Sequence, residues 1–193
     1  MAELAKKATR ASALDGHVPE GHIGEVGATG VTLTVTRDVQ LWQVAAWANS
    51  HASVARQIQA ITGSAAPGPC RAGTGANGTA LRIEPLKWWL FGCEAPALAS
   101  ADGAIADLSH ARTVVTLDGP DAAACLMRHL PLDLRDEAFP VGSVASSALH
   151  HVGVTVWRSD AGYVLFLPRG FALSLWELLL ETAAQFGAEA RFA

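Results

Sequence analysis

The sequence predicts an α+β fold of two layers, in which mostly antiparallel sheets pack against helices. Residues 31–36 alternate between apolar and threonine side chains, as a strand with one buried face requires. Residues 171–186 carry polar side chains at steps of three and four and precede Gly187, which indicates a helix that ends at this glycine. With 50% hydrophobic residues, a chain of 193 residues can bury a core.

The first half of the fold is predicted over residues 31–94, after an extended tail at residues 1–30. The tail is rich in glycine, alanine and histidine without a sustained period, so we expect it to contribute little to a core. Apolar residues at steps of three and four between Leu41 and Ala55 predict a helix. Glycine and proline predict a loop over residues 65–78. Two strands separated by Pro85 follow, at residues 79–84 and 88–91.

A linker is predicted at residues 95–103, where Pro96 and several small side chains occur, and the second half covers residues 104–193. A short helix is predicted from Pro120, because proline at a first helical position loses no internal hydrogen bond, and it stops at Pro131. The predicted strands of this half are residues 105–109, 112–117, 143–150, 152–158 and 163–167.

Charge and cysteine content exclude several classes of protein. A net charge of -4 gives no basic surface for phosphates, so we expect no nucleic-acid partner. Cys70, Cys93 and Cys125 are odd in number and lack CxxC spacing, which argues against a disulfide framework and favours a reducing cytoplasm. The most apolar window, residues 164–180, contains Arg169 and Glu177, so no membrane insertion is expected.

Each motif that resembles a catalytic or binding site lacks the neighbouring secondary structure or spacing that such a site requires. Gly73 to Gly78 matches G-x-G-x-x-G, but a strand follows it instead of a helix, so we interpret it as a flexible loop. His150 and His151 would point to opposite faces of a strand, one buried and one wet, which disfavours a shared metal. Ser109 lies near Asp107 and His110 without a nucleophile elbow. We therefore expect no catalytic, cofactor-binding or metal-binding residue on this chain.

Large aromatic and aliphatic residues are better candidates for contact with a partner. Adjacent tryptophans in a strand face opposite ways, so one fills the core while the other is free to meet another chain. The apolar residues of the closing helix spread over most of its circumference, which predicts burial on two sides. The competing interpretation is that all these residues belong to the core. The proposed interface residues are Trp42, Trp88, Trp89, Trp176 and Leu180.

Several short motifs, taken together, resemble the gamma subunit of heterotetrameric sarcosine oxidase. The series covers most of the chain and is densest after Asp107. Its members are Ser12-Ala-Leu, Leu81-Arg-Ile-Glu-Pro, Lys87-Trp-Trp-Leu, Asp107-Leu-Ser-His-Ala-Arg, Asp118-Gly-Pro, Leu130-Pro-Leu-Asp-Leu, Phe139-Pro-Val-Gly and Arg169-Gly-Phe-Ala-Leu-Ser-Leu-Trp.

This resemblance implies a non-catalytic subunit of a cytoplasmic complex that oxidatively demethylates sarcosine, or a related N-methyl amino acid, to glycine. The implied partners are alpha, beta and delta chains. FAD, FMN, NAD, tetrahydrofolate and zinc are implied on those partner chains, with none on this one.

An alternative remains open, because Asp107-Leu-Ser followed by Asp118-Gly-Pro also resembles the wider folate-binding fold of glycine-cleavage aminomethyltransferases. The chain would then be a stand-alone folate-binding or aminomethyl-transfer module. Such a module needs a deep cleft with a carboxylate that holds the pterin, and Asp107 and Glu84 are the candidates. Pull-down from the native host would separate the two classes, as would neighbouring genes for a large dinucleotide-binding chain.

Overall fold

The computed structural model describes residues 11–19, 21–24 and 27–193. Within them, the helices are α1 (His51–Thr62), α2 (Ala122–Met127) and α3 (Ala172–Ala183), with 3-10 turns at Arg169–Phe171 and Ala184–Phe186. The strands are β1 (Gly21–Ile23), β2 (Val31–Val35), β3 (Leu41–Ala46), β4 (Ala72–Gly75), β5 (Gly78–Glu84), β6 (Lys87–Phe91), β7 (Gly103–Asp107), β8 (Arg112–Asp118), β9 (Val144–Leu149), β10 (Val152–Ser159), β11 (Gly162–Pro168) and β12 (Ala188–Phe192).

The strands form two sheets. The larger has seven strands in the order β1-β12-β2-β8-β11-β10-β9, and the smaller has five in the order β4-β5-β6-β3-β7. Every pairing is antiparallel except that of β2 with β12, where Val31 to Val35 pair in parallel with Ala188 to Phe192. The α+β class with mostly antiparallel sheets is therefore confirmed.

The two sheets pack face to face, and helices cover their outer faces. Val114 and Phe166 of the large sheet meet Leu41 and Trp89 of the small sheet in a shared core. On the far side of the large sheet, α2 and α3 bury a second core, and α1 buries a third on the far side of the small sheet. We call the seven-stranded sheet with α2 and α3 the large unit, and the five-stranded sheet with α1 the small unit. Each unit has two layers.

The segment before β2 contributes to the core of the large unit, contrary to our expectation for this tail. Leu14 has no exposed surface and packs in the same cluster as Leu33 and Trp176. Trp176 Nε1 also donates a hydrogen bond of 3.0 Å to the backbone oxygen of His17. One large apolar residue in a weakly patterned segment therefore suffices to anchor it. The predicted tail residues 1–10 lie outside the described residues.

The helix predicted between Leu41 and Ala55 is wrong over its first part. Residues 41–46 form β3, which lies between β6 and β7 in the small sheet, and α1 begins only at His51. The apolar residues at steps of three and four belong in part to a strand and in part to the helix that follows it. Because β3 is paired on both sides, long-range hydrogen bonds outweigh the local helical spacing.

The loop predicted over residues 65–78 is also partly wrong. Ala72 to Gly75 form β4 and pair with Gly78 to Leu81 of β5, so the glycine motif is a hairpin whose tip is Ala76 and Asn77. The strands predicted at residues 79–84, 88–91, 112–117, 152–158 and 163–167 and the closing helix are confirmed within a few residues.

The sheets do not strictly follow the proposed division at residues 95–103. β2 precedes this linker but lies in the large sheet, and β7 follows it but lies at the edge of the small sheet. Arg71 and Ser143 bridge the two sheets directly, since Arg71 Nη1 donates to Ser143 Oγ at 2.9 Å. The division into α+β halves at 31–94 and 104–193 stays a prediction.

Candidate functional site

Three of the proposed interface residues lie in the core. Trp88 and Trp176 have no exposed surface, and Trp89 is 5% exposed. Trp88 packs between the small sheet and α1, with its ring centroid 5.2 Å from that of His51. Trp89 lies between the sheets and meets Phe166 edge to face at 5.5 Å. The proposal of a partner contact is wrong for these three tryptophans, because they present almost no surface in the folded chain.

Trp42 and Leu180 are both half-buried but do not form one surface. Trp42 packs against the core beneath α1, whereas Leu180 packs against the core beneath α3. The two sheets separate these layers. A partner that contacts both residues would have to reach around the molecule, so we treat them as members of two different outer surfaces.

Other apolar side chains are more exposed than any of the proposed ones. Phe171 is 54% exposed at the start of α3, Trp47 is 47% exposed in the turn before α1, and Val141 is 53% exposed. Trp47 Nε1 donates to the Ser100 backbone oxygen at 3.0 Å, so the indole is held in place. The sequence offered a clue to both aromatic residues, since Trp47 precedes Asn49 and Phe171 follows Gly170, at turns between elements.

The two sheets separate at one end to leave a cleft of about 450 Å³, which we call the inter-sheet cleft. Arg112 lies on the same face of β8 as buried Val114, and Gly153 lies on the same face of β10 as Thr155. A Cβ atom added at Gly153 would meet no atom within 4 Å. Gly153 therefore leaves open space on this face of β10. Its main lining residues are Gln43, Trp89, Arg112, Gly153, Thr155 and Phe166.

Arg112 gives the inter-sheet cleft its charge. Its guanidinium carbon lies 5.3 Å from the centre of the Trp89 ring, and its Nη1 donates to the Ala111 backbone oxygen at 3.0 Å. Within the described part of the chain, Arg112 forms no ion pair. Burial lowers the pKa of Arg112 from its ordinary value, because a partly buried cation loses hydration.

The polar groups around Arg112 are largely occupied with one another. Trp89 Nε1 donates to Gln43 Oε1 at 3.2 Å, and the hydroxyls of Ser146 and Thr155 lie 3.3 Å apart. Glu84 lines the cleft, but its carboxylate pairs with Lys87 Nζ at 2.8 Å and its side chain is 53% exposed. The lining therefore carries one cation, Arg112, and one carboxylate, Glu84, while Trp89 and Phe166 lie beneath it with almost no exposed surface.

The other candidate carboxylate, Asp107, lies at the end of β7 and not in the cleft lining. Its Oδ1 accepts a hydrogen bond of 2.8 Å from the backbone nitrogen of Ser109. The Ser109 hydroxyl accepts from the Leu41 backbone nitrogen at 3.0 Å, which ties the segment after β7 to β3. These contacts support the interpretation of Asp107 and Ser109 as structural residues of a strand end.

The histidines differ from our prediction in their surroundings. His150 and His151 are both exposed in a turn with their ring centroids 4.5 Å apart, and His150 has a φ of 58°. The expectation that one of them is buried is wrong, because the turn between β9 and β10 removes the strand alternation. Across the described residues, no group of three or more histidine, cysteine, aspartate or glutamate side chains is placed to hold a metal ion.

His129 and the buried cysteines have shifted pKa values. His129 Nε2 lies 2.6 Å from Thr182 Oγ1, and burial, followed by the charges of His150 and Arg128, lowers its pKa from 6.5. Burial raises the pKa of Cys125 to about 11 and also raises that of Cys93. Both thiols remain protonated at neutral pH, which suits packing and not nucleophilic attack.

Among the described residues, no helix is both long enough and apolar enough to cross a bilayer.

Comparison with known proteins supports the resemblance found in the motifs. No family model matches this chain. The chain is 35% identical to the sarcosine oxidase subunit gamma of Arthrobacter sp over 91 residues, which is 47% of this chain and 45% of that protein. It is 32% identical to the namesake subunit of Corynebacterium sp. (strain U-96) over 93 residues, 48% of this chain and 45% of that protein. The chain thus spans about half the length of the curated relatives it matches.

Solved structures extend the likeness over most of the chain. A chain of the heterotetrameric sarcosine oxidase from Corynebacterium sp. U-96, in complex with pyrrole 2-carboxylate, superposes with a TM-score of 0.71 and 26% identity, covering 83% of this chain and 87% of that one. The glycine cleavage system aminomethyltransferase T from Bartonella henselae superposes with a TM-score of 0.55 and 16% identity, covering 86% and 48%. The resemblance to sarcosine oxidase gamma subunits is confirmed, and the aminomethyltransferase shares the fold.

Proposed function

We propose that this chain is the gamma subunit of a heterotetrameric sarcosine oxidase-like complex, which oxidatively demethylates sarcosine or a related N-methyl amino acid to glycine. The observation that carries the proposal is the superposition on a chain of a heterotetrameric sarcosine oxidase over 83% of this chain and 87% of that one. The three curated gamma subunits, which are 32% to 35% identical to this chain over 91 to 94 residues, support the same proposal.

In this proposal the chain is non-catalytic, and the chemistry belongs to alpha, beta and delta partners in the cytoplasm. FAD, FMN, NAD, tetrahydrofolate and zinc would be bound by those partners. The roles of the residues that resemble catalytic groups support this division. The Ser109 hydroxyl is bound to the backbone of Leu41, and Cys93 and Cys125 are buried with raised pKa values.

The contact surface in the complex is a separate part of the proposal. We assign it to the outer face of α3, where Leu180 is half-buried, and the exposed Phe171 just before this helix is a separate apolar side chain of the same unit. Trp42, on the small unit, marks the second candidate surface. A central anchor at an interface contributes about 2 kcal/mol or more to binding when truncated to alanine. Leu180→Ala and Trp42→Ala are matched tests, because each residue is half-buried on a different outer layer.

The test is reconstitution of the complex. This chain would be tagged, co-expressed with candidate alpha, beta and delta chains from the same genome, and purified, and sarcosine-dependent peroxide formation would be measured. We expect the four chains to co-purify, and omission of this chain to reduce the yield of active complex. A monomer that ignores all three partners would contradict the proposal.

The alternative, a stand-alone folate-binding or aminomethyl-transfer module, has less support. Its fold is shared with the aminomethyltransferase, but an identity of 16% shows fold alone. Of the two candidate carboxylates, Glu84 is paired with Lys87, and Asp107 caps a strand end. The isolated chain would be titrated with tetrahydrofolate. Tight binding of tetrahydrofolate, together with no association with the alpha, beta and delta chains, would reverse the ranking.

A further inference from the structure

We propose that the outer edge of β7 pairs with β7 of a second copy of this chain, in an antiparallel two-fold arrangement that joins the two small sheets into one continuous sheet. This inference goes beyond the proposed function, because it concerns the chain on its own and makes no use of the alpha, beta and delta partners. It rests on the direction of the β7 hydrogen bonds, on the state of the other sheet edges and on the symmetry of the β7 sequence.

The outer edge of β7 presents backbone groups that β3 does not use. Leu108 N donates to the Leu41 backbone oxygen at 2.8 Å, which places the even-numbered residues of this strand in the ladder with β3. The N–H and C=O of Ile105, which lies opposite Val44, therefore point away from β3. In the described part of the chain, β7 is the last strand of the small sheet on this side.

The other three sheet edges each have a protection that β7 lacks. β1 has only three residues. β4 and β9 partly cover each other, since Ala72 N donates to the Gly142 oxygen at 2.8 Å and Val144 N donates to the Cys70 oxygen at 3.0 Å. β7 has five residues, with no proline, lysine or arginine and no bulge in its register with β3. Proteins use short strands, covering segments, charges, prolines and bulges to block pairing at a sheet edge, so β7 is the edge that is suited to pairing.

The sequence of β7 is nearly symmetric about Ile105, which suits pairing of the strand with itself. Ile105 is flanked by Ala104 and Ala106, whose side chains are both exposed. In an antiparallel pair centred on Ile105, the two isoleucines exchange both backbone hydrogen bonds and lie side by side, and each Ala104 faces an Ala106. Asp107 then lies opposite Gly103 of the second copy and not opposite the second Asp107, so like charges do not face each other.

The geometry of this pairing sets the size and the strength of the assembly. A two-fold pairing uses the same edge in both copies and closes after two, so the expected species is a dimer and not a fibre. Five paired residues from each copy form a small contact beside the roughly 1,200 Å² that stable interfaces bury. We therefore expect a weak dimer that dissociates on dilution.

The experiment measures the mass of the isolated full chain by sedimentation from micromolar to millimolar concentration, with amide hydrogen exchange at Ile105 as the local readout. We expect a reversible equilibrium of monomer and dimer, in which the Ile105 amide gains protection from exchange as the dimer forms. Three results would overturn the inference: a monomer at every concentration, association that dilution does not reverse, or a dimer in which the Ile105 amide exchanges as fast as in the monomer.

Proline variants distinguish β7 from the partly open edge of β9. Ile105→Pro removes the outward N–H without breaking the ladder with β3, so it should weaken dimerisation about tenfold or more. Ile105→Ala keeps this N–H and should weaken dimerisation less. The matched control is Ala148→Pro, at an exposed position of β9 whose N–H points away from β10, and it should leave the dimer unchanged.

A further variant tests the same edge through exposed side chains. The double substitution Ala104→Lys and Ala106→Lys would place like charges opposite each other in the dimer, while both positions are exposed in the single chain, so we expect a folded monomer. Cooperative thermal unfolding of each variant would show that it is folded. Weaker dimerisation of Ala148→Pro than of Ile105→Pro, or a double lysine variant that dimerises as tightly as the unchanged chain, would count against pairing through β7.

Discussion

The large and small units both consist of a sheet covered by helices, but the sequence separation between paired strands differs between them. All strands of the small sheet lie between Leu41 and Asp107, and β4, β5 and β6 are joined by short turns. The large sheet joins β2 to β12, which begins more than 150 residues later. The small unit is therefore a product of local pairing, whereas the large unit depends on contacts between distant segments.

The difference extends to the tryptophan at the centre of each unit. Trp176 Nε1 donates to the His17 backbone oxygen, which ties α3 to the segment before β2. Trp88 Nε1 is buried without a hydrogen-bond partner within the described residues, and Trp88 packs only against elements of its own unit. In the large unit the central tryptophan thus holds a distant segment, whereas in the small unit other side chains do so, as Ser109 does by its hydrogen bond with Leu41.

The largest expected effect is from Trp176→Ala. The side chain has no exposed surface, and its loss leaves a cavity and an unpaired backbone oxygen at His17, so we expect the free energy of unfolding to fall by about 3–5 kcal/mol. Urea denaturation followed by circular dichroism would measure it. Trp47→Ala, at a residue that is 47% exposed, is the control and should cost under about 1 kcal/mol. Equal losses would contradict the assigned role of Trp176.

Leu14→Ala tests whether the segment before β2 belongs to the large unit. Because Leu14 has no exposed surface and packs with Leu33 and Trp176, the substitution should lower the free energy of unfolding by about 2–5 kcal/mol. The same denaturation assay applies, with Val141→Ala at a half-exposed position as the control. A loss no greater than that of the control would favour the expectation that the tail contributes little to the core.

Gly103→Ala addresses the edge of the small sheet. A Cβ at Gly103 would lie 2.1 Å from the backbone oxygen of Ala45, so β7 would have to shift away from β3, and we expect a loss of about 1–3 kcal/mol. Gly153→Ala is the matched control, because its Cβ would meet no atom within 4 Å. Thermal unfolding of both variants would compare them, and similar melting temperatures would show that β7 tolerates the shift.

The smallest expected effect is the pH dependence due to His129. Its pKa is lowered from 6.5 in the folded chain, so the unfolded chain binds the proton more tightly. Its contribution to stability is therefore present above the unfolded pKa and declines as the pH falls through about 6.5 toward the lower folded pKa. His129→Gln should show a shallower decline in melting temperature between about pH 7 and pH 5. If the melting temperature of the unchanged chain and that of His129→Gln fell equally over this pH range, the prediction would be refuted.

The sequence predicted the elements whose patterns are local. The threonine alternation over residues 31–36 and the hairpin between β10 and β11 are visible within a few residues, and both are confirmed. β12 was missed because Ala188–Phe192 is short and is stabilised by its pairing with β2, which no local pattern reveals. β3 was read as a helix for the same reason.

The inter-sheet cleft was beyond sequence reasoning, although its residues were all visible. Arg112 was known only as the start of a strand, and Trp89 was proposed for a partner surface. The packing of the two sheets brings them to 5.3 Å from each other. Gly153 lines the cleft without filling it, and no local pattern in the sequence shows that this glycine lies between two sheets.

The parallel pairing of β2 with β12 has a consequence for synthesis of the chain. On a ribosome, every strand of the small sheet has emerged once Asp107 is free, but β2 gains its second neighbour only after Phe192 is released. Until then one edge of β2 is open, and open strand edges are templates for aggregation. Slow translation or a premature stop near residue 187 would prolong this exposure, so the codons for β12 determine whether the nascent large sheet closes or associates with other chains.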